Sequence, residues 1–270
     1  MKVLICDLDK TLLPYGGTVL EAGLKQKMIT LQQSGMRIVL NSARLSGGIF
    51  PIAHQLQMES YGGFGIADNG SFIFDMEKNA LWKGYAVSFD VCNSIIEYAK
   101  SHDLHVSLEQ GTYAVASDYD EGIAQDRINC GIDVILAQDV TQYIHYPIYK
   151  CSIAQSKDIL DQHMPQLEQM LGEALDIYRS TDTFIDMIPK GRSKEQAVKE
   201  LLAYLDIPME HAVAIGDGNS DANMIKEAGL GVTLENGTSL CKQYADMIVA
   251  SCYEHGVEEL IEHLLKCKRA

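Results

Sequence analysis

Short runs of consecutive apolar residues alternate along this chain with longer stretches in which apolar residues return every three or four positions. The first run, Val3 to Cys6, is uniformly apolar and stops at Asp7, the pattern of a strand buried on both faces. Leu20, Leu24, Met28 and Leu31 follow at helical spacing, which predicts an amphipathic helix from Leu20 to Ser34, ended by Gly35. A second buried strand, Arg37-Ile38-Val39-Leu40, runs into Asn41-Ser42-Ala43-Arg44. Strand, helix and strand within about forty residues form a βαβ unit. A weaker unit places a helix near Ile49 to Gln57 before Phe64-Gly65-Ile66-Ala67, and Phe72-Ile73-Phe74 opens a hairpin.

From about Trp82 to Asp186 the rhythm changes. Val91 to Ser101 reads as a helix, Val106 to Ser117 as a hairpin around Gln110-Gly111, Ile144 to Ala154 as a strand, and Lys157 to Leu171 as a helix. The Tyr143-Ile144-His145-Tyr146 run alternates like a strand, and Leu175 to Ile188 returns as strands turning at Ser180-Thr181-Asp182. Past Pro189-Lys190-Gly191 the βα rhythm resumes. A helix from Ser193 to Leu205, with Ser193 as N-cap, leads to a strand at Ala212 to Ile215 and a helix from Ala222 to Ala228. Strands at Gly231 to Leu234 and Met247 to Val249 precede a last helix from Val257 to Lys266. The expected fold is α/β: a Rossmann-like parallel-sheet core from residues 1–83 and 187–270, with an inserted α+β cap domain, 84–186, over the sheet edge.

A length of 270 residues suits one large domain or two ordinary ones. With 37 acidic against 22 basic residues the formal charge is -15, which argues against nucleic acid or an anionic membrane surface as partner. Any anion site must therefore be locally positive. Seven cysteines, Cys130 among them, contain no C-x-x-C pair and read as reduced thiols of a cytosolic protein. No secretory signal is visible, and no stretch approaches the ~18 apolar residues of a membrane span. A soluble cytoplasmic protein is expected.

Polar groups gather where the buried strands end. Asp7 and Asp9, in the pattern Asp-x-Asp-x-Thr closed by Thr11, share one side of an extended segment. One carboxylate suits attack on phosphorus and the other proton transfer to the leaving oxygen. Ser42 offers a hydroxyl to a phosphate oxygen, and Lys194 adds positive charge at a helix start. Asp217, in Gly216-Asp217-Gly218-Asn219-Ser220-Asp221, brings a third carboxylate. Three acids around one point call for a cation, and hard oxygen donors favour Mg²⁺. Taken singly each has a plainer reading: an Asx-rich turn, a helix cap at Ser42, a solvated lysine. The ordered set favours phosphoryl transfer. The histidines lack metal-binding spacing, His211 and His255 read as surface groups, and Trp82 as a packing residue near the domain junction.

The segments DLDKTL, NSAR, GRSKEQA and GDGNSDANM, in that order and with an insertion between the second and third, resemble the haloacid dehalogenase-like superfamily. The order and insert size are similar to its Cof-type phosphatases with a type IIB cap, and ADNGSFIFD and AGLGVTLENG add smaller matches. The resemblance implies that Asp7 is phosphorylated as an intermediate. Asp9 would protonate the leaving group and then activate water, its backbone carbonyl contributing to Mg²⁺. Ser42 and Lys194 would hold the phosphoryl group, Asp217 would bind the metal directly, and Asp221 would support that site. Arg44 would reach substrate or stabilise its loop. The chain departs from the family at Lys10, Ala43 and Ser220, where Gly, Gly and Asn are usual, and Lys enters positive φ less cheaply than Gly. The implied enzyme is a Mg²⁺-dependent phosphatase of small phosphorylated metabolites such as sugar phosphates. Two alternatives are a phosphomutase of the same superfamily and a non-catalytic ligand-binding relative. Residues 84–186 hold only Lys100, Arg127, Lys150, Lys157 and Arg179 as basic groups, which leaves no extra cluster for the second phosphate of a mutase. The presence of both Asp7 and Asp9 counts against a silent protein.

Overall fold

In the computed structural model residues 1–117 and 131–267 are described, so Arg127 and Cys130 lie outside the described residues. The apolar run Val3–Cys6 is β1, and all four of its residues are buried. It forms parallel ladders on both sides, with β2 (Arg37–Asn41) and β12 (Ala212–Ile215). A strand flanked on both edges and covered on both faces has nowhere to place a polar side chain. The first polar residues therefore appear where the strand stops.

Around β1 an eight-stranded sheet has the order β14-β13-β12-β1-β2-β3-β4-β5. β3 (Phe64–Ala67), β13 (Leu230–Leu234) and β14 (Met247–Val249) extend the parallel part. β4 (Phe72–Asp75) and β5 (Ala80–Gly84) add an antiparallel hairpin. Side chains alternate between faces as the pleat requires. Leu4, Cys6, Ile38 and Leu40 pack under α1 (Ala22–Gln33), α2 (Ser46–Gln55) and α8 (Gly256–Cys267). Val3, Ile5, Val39 and Phe64 pack against Ala197, Val198 and Leu201 of α5 (Lys194–Tyr204) and Met224 of α6 (Ala222–Glu227). Each fully buried aliphatic side chain contributes about 1.5–3 kcal/mol. α7 (Ser239–Tyr244) follows β13.

The inserted α+β cap has its own six-stranded sheet, ordered β10-β11-β9-β6-β7-β8. Its strands are β6 (His105–Glu109), β7 (Tyr113–Ala116), β8 (Asp133–Leu136), β9 (Lys150–Ala154), β10 (Leu175–Thr181) and β11 (Phe184–Pro189). α3 (Phe89–Ser101) and α4 (Lys157–Leu171) cover one face over Val106, Leu108, Ile153 and Ile185. Two details differ from the sequence reading. Tyr143 to Tyr146 does not form a strand, because the ladder begins only at Lys150 and Pro147 has no N–H to donate to one. The β10–β11 turn sits one residue later than expected, with Thr181 paired to Phe184. Trp82 packs, as expected, its ring 4.7 Å from that of Tyr204.

Gly70 locks the turn after β3 against α5. Its φ is +98°, and a Cβ there would lie 2.3 Å from the Ser193 carbonyl oxygen. Gly70→Ala should therefore lower stability by more than about 1 kcal/mol, read as a fall in the urea midpoint at unchanged m-value.

Candidate active site

Asp7 follows β1 and is 5% exposed, its N–H donating to the Ile215 carbonyl (3.0 Å) so that the backbone continues the sheet for one more residue. Lys194 opens α5, whose N-cap is Ser193 with Oγ accepting from the Gln196 N–H. The Lys194 Nζ lies 2.6 Å from Asp7 Oδ1 and 2.8 Å from Asp221 Oδ1. The second oxygen of Asp221 accepts from the Gly218 N–H at 3.0 Å. Thr11 Oγ1 donates to Asp217 Oδ1 at 3.2 Å. Carboxylate oxygens of Asp7, Asp217 and Asp221 lie within 4.8 Å of one another.

So dense a group of acids perturbs itself. Burial pushes the Asp7 carboxyl up to about 7 against the opposing pull of Lys194, with Asp221 and Asp9 adding to the rise. Asp217 is pushed up to about 6, by burial first and by Asp7 second. For Lys194 burial opposes the charge, but Asp221 and Asp7 outweigh it and hold the ammonium well above the ordinary lysine range. Among the described residues one buried cation faces three acids. That deficit, and an all-oxygen donor set, suit a hard divalent cation such as Mg²⁺.

Ser42 follows β2 and is 2% exposed, its Oγ accepting from the Arg44 N–H at 3.2 Å. Asn41 beside it donates from Nδ2 to the Lys194 carbonyl at 3.2 Å, tying that strand end to the helix that carries Lys194. The spacing argument put Asp9 with Asp7 and Asp217 around one point, but in the fold the third carboxylate of the cluster is Asp221. The Asp9 side chain instead meets the guanidinium of Arg44 through two bonds, Nε to Oδ2 at 2.7 Å and Nη2 to Oδ1 at 2.6 Å. The Gly16 N–H also donates to Asp9 Oδ1 at 3.0 Å. Bidentate pairing is the strongest geometry open to an arginine and a carboxylate, so it overrides the shared orientation of an ideal strand. Lys10 does adopt a left-handed conformation, φ 58°, as glycine would. Its carbonyl accepts from Asn236 Nδ2 at 2.8 Å, and its ammonium sits 5.1 Å from the centre of the Tyr15 ring. Ala43 presents its carbonyl to the cap, and Ser220 lies in the exposed first turn before α6.

Between core and cap lies a cleft of about 190 Å³, lined among others by Asp9, Tyr15, Arg44, Glu109, Lys150 and Asp186. Sequence reasoning assigned no role to the last three. Their signal was a charged residue inside an otherwise apolar strand, as in Lys150-Cys151-Ser152-Ile153-Ala154 and Phe184-Ile185-Asp186-Met187. Lys150 Nζ bonds the Ala43 carbonyl (3.2 Å) and Glu109 Oε1 (2.9 Å), and lies 3.7 Å from Asp186 Oδ2. The cap thus touches the loop that carries Ser42. Tyr178 of the cap also accepts a hydrogen bond from Asn69 of the core. His211 and His255 are surface groups, with side chains 45% and 65% exposed. The six described cysteines are free thiols, Cys6 buried within β1.

Acidic groups and one lysine at the carboxyl ends of parallel strands, under an inserted α+β layer, define a phosphoryl-transfer type of hydrolase. The chain belongs to the haloacid dehalogenase-like hydrolases, whose family model matches residues 4–261. Its order of motifs and its cap are those of the Cof-type, subclass IIB members. A 5-amino-6-(5-phospho-D-ribitylamino)uracil phosphatase of Bacillus subtilis is 25% identical over 97% of this chain and 95% of that protein. The crystal structure of a haloacid dehalogenase-like hydrolase from Bacteroides thetaiotaomicron superposes with a TM-score of 0.93 at 28% identity, covering 97% and 99% of the two chains. A subclass IIB sugar phosphatase shares the fold with a TM-score of 0.80 at 17% identity, covering 98% of this chain and 99% of that one. The chain spans 45% of the length of a longer relative, the chloroplastic endoribonuclease YBEY of Arabidopsis thaliana, to which it is 23% identical. Family and relatives together support a phosphatase activity. Among the described residues no helix is long and apolar enough to cross a membrane.

Proposed function

We propose that this chain is a Mg²⁺-dependent phosphomonoesterase that hydrolyses small phosphorylated metabolites through a phosphorylated Asp7. The observation that carries the reading is Lys194 Nζ at 2.6 Å from Asp7 Oδ1, within a group of acids suited to a divalent cation. In the first step a carboxylate oxygen of Asp7 forms a bond to phosphorus while the ester P–O bond breaks and the leaving oxygen takes a proton from Asp9. In the second, water gives its proton to Asp9 and attacks the same phosphorus, releasing inorganic phosphate and restoring Asp7. Asp9 would serve the leaving-group side, a role supported by its lining the cleft under the cap, where Arg44 and the Gly16 N–H orient it. Ser42 and Lys194 hold the non-bridging oxygens. Asp7, Asp217 and the Asp9 backbone carbonyl would hold the metal, with Asp221 in support through Lys194 and Gly218. Bound there, Mg²⁺ supplies the positive charge that lets one anion approach another. The core comprises 1–83 and 187–270, and residues 84–186 close over the substrate and exclude water from the first step. A net charge of -15 disfavours nucleic acid as partner and fits a soluble, cytoplasmic enzyme.

The test is phosphate release from p-nitrophenyl phosphate. Release should require Mg²⁺ and fall to background with EDTA, and added Mg²⁺ should raise Tm by preferential binding to the folded state. Turnover that is unaffected by EDTA in metal-stripped protein, or no turnover with Mg²⁺ in folded protein, would overturn the reading.

A further inference from the structure

The cleft between core and cap carries a charge pattern that phosphoryl transfer itself does not need. On the core side Arg44 is paired with Asp9 through two hydrogen bonds. On the cap side Lys150 is 5% exposed and is surrounded by Glu109, Asp186 and the Ala43 carbonyl. Asp186 Oδ1 accepts from Ser152 Oγ at 2.8 Å, which aims the carboxylate along the cap sheet. Asp68 of the core, wholly buried, lies close enough to Glu109 and Lys150 for their charges to act on it. Burial, opposed by Lys150, pushes Asp68 up to about 6, and burial likewise pushes Glu109 well above the ordinary carboxylate range. Lys150, Asp186 and the Asp68–Glu109 pair sum to a net negative charge whether or not the pair shares a proton. Among the described residues, both cations that line the cleft are thus already engaged by carboxyl groups. Lys10 stacks its ammonium on the Tyr15 ring, and Arg179 is paired with Asp161 at 2.9 Å.

The remaining lining suits an uncharged ligand rich in hydroxyls. Tyr15, Ile132 and Phe184 offer apolar surface for C–H groups, while Ser180, Thr181 and Asp186 offer hydrogen-bonding groups. A cleft of about 190 Å³ suits a small leaving group.

We propose, resting on the phosphatase reading above, that the Glu109–Lys150–Asp186 cluster selects the leaving group by charge. It accepts a small neutral polyhydroxylated alcohol and turns away one that bears a second anion. A second phosphate or a carboxylate in this cleft meets a net negative wall whose cations are already engaged, and like charges at short range discriminate strongly.

Sorbitol 6-phosphate and 6-phosphogluconate share a carbon skeleton and differ in a terminal CH₂OH against a carboxylate. Measured with the Mg²⁺-loaded wild-type protein, kcat/KM should favour sorbitol 6-phosphate by at least about tenfold. Asp186→Asn, which removes the charge and keeps the shape, should shrink that ratio at least about threefold, chiefly through KM for 6-phosphogluconate, and Glu109→Gln provides a second variant should the first fold poorly. Equal rates, or a preference for 6-phosphogluconate, would overturn the proposal. Turnover of p-nitrophenyl phosphate with neither polyol ester accepted would also overturn it while leaving the phosphatase reading intact. No turnover of any of the three would overturn both.

Discussion

Asp7→Asn should abolish phosphate release, by at least about a thousandfold with p-nitrophenyl phosphate, while making the metal-free protein more stable. The amide keeps the shape of the carboxylate and cannot form the acyl phosphate, so the whole covalent route is lost. The stabilisation follows from proton linkage. Burial pushes Asp7 from the ordinary carboxylate range up to about 7 in the folded protein, so folding favours its protonated form. Its contribution is fully present at acid pH and is lost as pH rises through about 7. Wild-type metal-free protein should therefore lose stability between about pH 4 and pH 7 on Asp7's account, and the asparagine variant should lack that component. The gain at pH 8 should appear as a higher Tm, at roughly 2–4 °C per kcal/mol for a chain of this size. Retained turnover in Asp7→Asn would remove Asp7 as nucleophile. Lower stability at every pH would mean that the carboxylate is an asset to the fold.

Lys194→Met is expected to do the reverse, harming stability as much as activity. Among the described residues the lysine is the one cation hydrogen-bonded to the buried Asp7 and Asp221, and its own side chain is 4% exposed. Removing one partner of a buried ionic group strands the other charges, at a loss of about 3–5 kcal/mol. Because the stranded groups are acids, Mg²⁺ should restore part of the loss by binding among them, whereas NaCl should restore little. Urea unfolding with and without Mg²⁺ measures both quantities. A change below about 1 kcal/mol without metal would show that water reaches these acids and that the ion pairs are weak.

Much of the architecture could be read from short-range pattern. The runs Val3–Cys6 and Ala212–Ile215 appear as strands at the expected residues, because a strand covered on both faces must be apolar throughout and must end at its first polar group, and Met247–Val249 appears where expected as the half-exposed edge strand. Ser193 caps α5 as expected, since capping is decided within three residues. The Tyr143 to Tyr146 run misled for the same reason in reverse: its alternation is local, but pairing in a ladder depends on a neighbour and on an N–H that Pro147 lacks.

Alone, the sequence determined which residues stand at the ends of buried strands, and so which carboxylates, hydroxyl and lysine belong to one edge of the sheet. Only the tertiary structure decided how they pair. Asp221 joins Asp7 on Lys194, Asp9 leaves that cluster for Arg44, and Lys150 of the cap reaches the Ala43 carbonyl. The reason is physical. Burial imposes its pattern one residue at a time and is visible along the chain. A buried charge is instead stabilised by whichever partner the fold brings within about 3 Å. Here those partners lie 187 positions away for Lys194 and Asp7, and 107 for Lys150 and Ala43.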